Sequence, residues 1–226
     1  MSFTFFNSRA PLEITQKRLP HWEQGGATYF ITFRTADSIP RDVLTKWLDE
    51  RSHWLSQHGI EGSKNDWQQQ LESLSDSAKY EYHRTLTMLW HEHLDNCHGA
   101  CLLRQAELAQ IVADALLHFD GQRYHISDFV IMPNHVHVLV GVDQIGDMRR
   151  LCRSWKKYSA TQINNRLRLK GEFWQSDSFD HLVRNENSYL KFRRYIADNP
   201  VKAQLGPGEY HLWQSSPLPQ SSTVTP

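Results

Sequence analysis

The run Asp128-Phe129-Val130-Ile131-Met132-Pro133-Asn134-His135-Val136-His137-Val138-Leu139-Val140 constrains the fold more than any other stretch of this chain. Its β-branched and aromatic residues suit a pleated, buried surface, and Pro133-Asn134 punctuates it once. Side chains at i and i+2 of a strand point the same way, so His135 and His137 share a face and can grip one ion. Val136, Val138 and Val140 then point to the other face, toward a core. The expectation is a buried strand that carries a metal clamp on its exposed face.

The 226 residues are enough for one good core, and no long solvent-like spacer divides them. No apolar run approaches the roughly 18 residues a membrane span needs, and Met1-Ser2-Phe3-Thr4-Phe5-Phe6-Asn7 lacks a signal-peptide pattern. A soluble, cytoplasmic protein is expected, with no membrane partner. Cys97, Cys101 and Cys152 are odd in number and sparse, which fits a reducing compartment without structural disulfides.

Strand and helix signals alternate along the chain. Ala27 to Arg34 is rich in aromatic and β-branched residues and reads as a central strand. Arg41 to Gln57 follows Pro40 and repeats apolar residues at helical spacing until His58-Gly59. Glu61 to Ser77 is polar and reads as an insertion, and Tyr80 to Leu94 as a further helix. Arg104 to Phe119 is an amphipathic helix, Tyr124 to Met132 a strand, and His135 to Val142 either its hairpin partner or its bulged continuation. Met148 to Leu169 is a long basic helix, Phe179 to Arg184 a short strand, and Ser188 to Asn199 a helix stopped by Pro200. From Pro207 the chain is rich in Pro, Ser and Gln, the composition of a flexible tail. Short, few strands interleaved with helices point to the α+β class, an antiparallel sheet packed with helices. No Gly-rich phosphate loop follows a strand, which argues against nucleotide-dependent chemistry.

Formal net charge is zero, but the zero hides an asymmetry. Between Arg149 and Lys202 stand thirteen Lys/Arg against five Asp/Glu, an excess of eight positive charges that the rest of the chain offsets. A basic stretch directly after the histidine pair suits an anionic polymer, because phosphate contacts supply most nucleic-acid affinity. Solvated helix faces would give the same count without any such partner.

Two imidazoles need a further ligand and, for catalysis, a reacting group. In Lys191-Phe192-Arg193-Arg194-Tyr195-Ile196-Ala197-Asp198-Asn199-Pro200, Tyr195 and Asn199 share a helix face, while Tyr189, Phe192 and Ile196 form a buried one. Pro200 disfavours helical geometry at Asn199, which places that amide at a fraying end, free to turn its oxygen toward an ion.

Three separated stretches carry a specific resemblance: Met132 to Val140, Phe173-Trp174-Gln175 to Phe179-Asp180-His181, and Arg194-Tyr195-Ile196-Ala197-Asp198-Asn199-Pro200-Val201-Lys202. Together they resemble the HUH single-tyrosine transposases, and within them the REP-associated tyrosine transposase branch, over roughly residues 20 to 205. The resemblance implies a ferredoxin-like or RRM-like HUH nuclease fold with an inserted helical segment. Residues 1–206 would form one catalytic domain with the insertion at about 59–100, followed by a flexible tail over 207–226. It implies that His135 and His137 bind a divalent ion, Mg or Mn, that Asn199 completes the site, and that Tyr195 attacks DNA. Related insertion-sequence enzymes carry Gln where this chain has the shorter Asn199. The implied partner is single-stranded or hairpin DNA of REP type, handled by a monomer or a homodimer through a 5′-phosphotyrosine. Lys191, Arg184, Arg193, Arg194 and Lys202 are the candidate phosphate contacts.

Each assignment has a competitor. Tyr158, with Gln162 four residues on and Lys156-Lys157 before it, copies the Tyr/amide spacing and is a rival nucleophile. His91, His93, Cys97, His98 and Cys101 form a second cluster that matches no standard zinc finger. His181 is either close to the site or a packing residue. A domesticated module that holds hairpin DNA or RNA without cleaving it is the alternative function. A histidine-triad hydrolase would need a further His at position 139, where the chain has Leu139.

Overall fold

The computed structural model describes residues 3–16, 20–62, 64, 66–82, 86 and 98–218. A hairpin of β1 (Glu13–Gln16) and β2 (Pro20–Glu23) leads into β3 (Ala27–Arg34), and the helices α1 (Arg41–Gln57), α2 (Trp67–Glu72) and α3 (Asp76–Tyr82) follow. A 3-10 turn at Leu102–Arg104 precedes α4 (Ala106–Leu117), β4 (Tyr124–Ile131) and β5 (His135–Val142). The chain ends in α5 (Asp147–Leu167), β6 (Phe179–Leu182), α6 (Glu186–Lys202) and β7 (His211–Gln214). No described helix is long and apolar enough to cross a membrane.

Five strands form an antiparallel sheet in the order β6-β3-β5-β4-β7. Without β7, the sequence β3-α4-β4-β5-α5-β6 in that spatial order is the ferredoxin-like arrangement. The expected α+β class and antiparallel sheet are therefore what the chain adopts. β4 and β5 form a hairpin closed by Met132 N–H donating to the His135 carbonyl at 2.8 Å, because Pro133-Asn134 turns the chain rather than bulging it.

Alternation sorts the sheet residues into two faces. Tyr29, Ile31 and Phe33 of β3 and Val136, Val138, Val140 and Val142 of β5 pack under α4 and α5, against Leu108, Val112, Leu116, Cys152 and Trp155. Phe30, Val130 and Leu139 lie on the opposite face beneath α6, with Ile196, Phe192 and Tyr195. A register shift between Ile126 and Asp128 switches parity in β4, so Ile126 and Phe129 share the first face while Asp128 and Val130 turn to the second. The histidine face expected to be exposed is thus roofed by α6, and both imidazoles are fully buried.

Three further expectations shift. The helical excursion starts earlier than residue 59, since Trp54 and Leu55 of α1 share a separate apolar cluster with Ile60, Trp67, Leu71 and Tyr82. Pro200 lies inside α6, which runs on to Lys202; a proline removes one donor, and near the C-terminus the remaining bonds, such as Ala203 N–H to Asn199 C=O at 3.0 Å, hold the turn. The stretch expected to be a flexible tail from residue 207 contains β7, paired along Asp128↔Gln214 to Ile131↔His211. Its alternation explains this: Trp213 stacks on Phe129 at 5.5 Å between ring centres, while Tyr210 and Leu212 pack on the α6 side.

Candidate metal and nucleophile site

The β3/β5 register sets Thr32 directly opposite His137 and Arg34 opposite His135. Thr32 Oγ1 is 2.7 Å from His137 Nδ1. Asn134, fully buried at the turn, donates from Nδ2 to the His98 carbonyl at 2.9 Å, and its Oδ1 lies 2.8 Å from His135 Nδ1. A carbonyl only accepts, so the amide orientation is fixed, and Oδ1 in turn requires the proton of His135 on Nδ1. Nε2 of His135 therefore carries a lone pair. It lies 3.1 Å from Nε2 of His137.

Two Nε2 atoms converging on one point, each ring held from behind by an oxygen, match the way ligating histidines are oriented. The Thr32 hydroxyl both donates and accepts, so it serves either tautomer of His137. Phe30 stacks on His137 with ring centres 5.3 Å apart, closing the apolar side of the pair. Among the described residues no group of three or more His, Cys, Asp or Glu is placed to hold a metal ion. Asn199 would supply a third ligand of another kind. It is fully buried while its neighbour Asp198 is exposed, which puts its amide on the sheet side of α6. This set of two imidazoles and an amide suits a divalent cation.

Helix α6 begins with Asn185, whose side chain accepts from Ser188 N–H at 2.9 Å, a standard N-cap. Phe192 stacks on Phe30 at 4.4 Å and seats the helix on the sheet. Tyr195, half-buried, brings its hydroxyl to 3.5 Å from His137 Nε2, with ring centres 5.1 Å apart. Lys202 Nζ stands 5.5 Å from the Tyr195 ring centre. The structure therefore gathers His135, His137 and Tyr195 at one place and puts Asn199 on the next turn.

The candidate phosphate contacts divide. Arg184, Lys191, Arg194 and Lys202 are exposed on or beside α6. Arg193 is not: it is buried, with Nε 2.6 Å and Nη2 3.0 Å from the two oxygens of Asp128. This bonding raises its pKa and withdraws it from a substrate-facing surface. The positive excess is also split across the sheet. Helix α5 packs on the face away from the histidines, where Arg149 pairs with Glu23, Arg150 with Asp147, and Arg166 with Glu107. Tyr158 lies on that helix, exposed and on the far side of the sheet from His137.

His181 pairs in register with Phe30, which puts it on the histidine face, 5.4 Å from the Phe192 ring. Of the second His/Cys cluster, His91, His93 and Cys97 lie outside the described residues; Cys101 donates weakly from Sγ to the His98 carbonyl at 3.8 Å. Thr32, Asn134 and Asp128 are the site residues that sequence reasoning missed. Asn134 had a signal, its place directly before the pair; Thr32 depends on strand register, and Asp128 on a bulge.

Residues 104–199 match the family described as IS200-like transposases. That span contains His135, His137, Tyr195 and Asn199, and the resemblance to the HUH single-tyrosine transposase superfamily is borne out. An uncharacterized protein of Haemophilus influenzae is 28% identical over 99 residues, covering 34% of this chain and 54% of that one. The chain thus spans about half the length of this curated relative. A solved structure of a REP-associated tyrosine transposase bound to a REP hairpin aligns with 80% of this chain and 71% of its own, at 18% identity and a TM-score of 0.42.

Proposed function

We propose that this chain is a divalent-metal-dependent transposase of the single-tyrosine type, which cleaves and rejoins single-stranded DNA at REP-like hairpins. The observation that carries the reading is the Tyr195 hydroxyl 3.5 Å from Nε2 of an imidazole pair whose other nitrogens are held by Thr32 and Asn134. Mg or Mn, held by His135, His137 and Asn199, would act as a Lewis acid on a non-bridging phosphate oxygen and offset developing charge.

The Tyr195 oxygen attacks phosphorus, the bond from phosphorus to the 3′ oxygen breaks, and that oxygen leaves with a proton as a free 3′-hydroxyl. The phenol loses its own proton to solvent as it attacks, since both Nε2 lone pairs would be engaged by the metal. The 5′-phosphotyrosine keeps the energy of the broken bond, so a second 3′-hydroxyl can displace Tyr195 and restore a phosphodiester without ATP. Arg184, Lys191, Arg194 and Lys202 are exposed around α6, placed to hold the flanking phosphates.

Labelled hairpin DNA incubated with Mn and run on a denaturing gel tests the reading. Cleavage is expected to need the metal and to vanish in His135→Ala. Hairpin binding without cleavage under any divalent ion would replace this reading with that of a binding module.

A further inference from the structure

The roll of α6 about its own axis decides where the Tyr195 hydroxyl points. At about 100° per residue, Tyr195, Asn199, Phe192, Ile196, Tyr189 and Arg193 span an arc of about 160°, with Tyr195 and Arg193 at its two margins. Phe192 and Ile196, in the middle of the arc, pack through apolar contacts in one cluster with Phe30, Leu139 and Val130, which are non-directional and permit a small roll. Arg193 makes a directional contact instead.

Its guanidinium meets Asp128 in a two-point fork, Nε to Oδ2 at 2.6 Å and Nη2 to Oδ1 at 3.0 Å, with both side chains buried. Asp128 is rigidly placed. The β4 bulge turns it toward α6, Ser127 Oγ donates to Oδ2, and Gln214 Nε2 of β7 donates to Oδ1 at 3.1 Å. The arginine also donates to the Ser216 carbonyl, and Tyr189 is tied to Ser127 at 2.7 Å between hydroxyl oxygens. A planar fork fixes angle as well as distance. Replacing a buried ion pair by apolar residues of similar volume is often neutral or stabilising, so stability alone is a weak reason for one here.

Resting on the reading of Tyr195 as nucleophile, we infer that the Asp128–Arg193 fork is the positioning device that sets the roll of α6 and so aims Tyr195 at His137. Strand β7 is part of this device through Gln214, and the segment just after it through Ser216.

The test compares the parent with the paired replacement Asp128→Leu/Arg193→Met, which removes both charges, and with Arg193→Lys, which keeps the charge and loses the fork. The paired variant is expected to stay folded and to bind hairpin DNA within twofold of the parent. Its single-turnover rate of covalent adduct formation should fall at least tenfold, with Arg193→Lys between. Incorporated 3-fluorotyrosine supplies a readout that needs no activity. The Tyr195 resonance, assigned by its loss in Tyr195→Phe, should shift or split in the paired variant. Adduct formation at the parent rate, or an unchanged fluorine resonance, overturns the inference. If the parent itself forms no adduct, the nucleophile reading fails, and the fluorine resonance alone decides whether the fork sets the roll.

Discussion

Asn134 and His135, adjacent in sequence, are joined by a 2.8 Å hydrogen bond from His135 Nδ1 to Asn134 Oδ1, which leaves the lone pair of His135 on Nε2, the nitrogen we propose to ligate the metal. The His98 carbonyl holds the other end of the amide at 2.9 Å, so a backbone group at residue 98 sets the tautomer of this proposed metal ligand. Loss of such an outer partner typically weakens metal affinity about 10- to 100-fold. Asn134→Leu should therefore lower Mn affinity by that factor, measured by titration against the electron paramagnetic resonance signal of free Mn. Asn134→Asp keeps an acceptor for Nδ1–H and should lose less. Equal Mn affinity in Asn134→Leu and the parent would refute the assignment.

Tyr158 is exposed on α5, across the sheet from His137. Its removal should leave the chemistry intact. Tyr158→Phe is expected to form covalent adduct within twofold of the parent rate, whereas a tenfold loss would return Tyr158 to consideration as nucleophile.

Burial lowers the pKa of His211 in β7 below its usual value, with Asp114 opposing the shift less strongly. In the window below the unfolded pKa of about 6.5, the unfolded chain then binds more protons than the folded one, so stability rises with pH there and falls on acidification. His211→Gln should remove part of the drop in melting temperature between pH 7.5 and pH 5. An unchanged or larger drop in the variant contradicts the sign.

Cys152 is buried on the sheet-facing side of α5, and burial pushes its thiol pKa up to about 12. Thiolate, not thiol, reacts with alkylating reagents, so both protonation and access protect it. Peptide mapping after iodoacetamide treatment should find Cys152 unmodified in the native protein and modified after denaturation. Rapid native labelling would mean that the packing of α5 on the sheet is open.

The strands that carry the site were legible because their residues are strongly patterned. Ala27–Arg34 and His135–Val142 run between the residues that β-branched content and turn signals mark. The histidine pair and the tyrosine four residues before Asn199 were legible for the same reason, since helix and strand periods convert sequence spacing directly into shared faces. What lay beyond reach depends on pairing. The register that puts Thr32 opposite His137, and the bulge that turns Asp128 toward Arg193, are decided by neighbouring strands and leave no local mark. Arg193 looked like a phosphate contact because charge on a helix says nothing about which face the helix buries. Strand β7 hid in a segment of tail-like composition because its apolar anchors, Tyr210, Leu212 and Trp213, pack against residues remote in sequence.

The central claim is that Tyr195 becomes covalently attached to DNA while His135 and His137 act on the same phosphate. The direct measurement is transfer of label from hairpin DNA, marked on the 3′ side of the cleaved bond, to the protein in the presence of Mn, read after denaturation and mapped by peptide mass spectrometry. The account predicts one labelled peptide, containing Tyr195 as a 5′-phosphotyrosine, and none in Tyr195→Phe under conditions where that variant still binds the hairpin. A covalent adduct that persists in Tyr195→Phe, or label on a different residue in the parent, would contradict it.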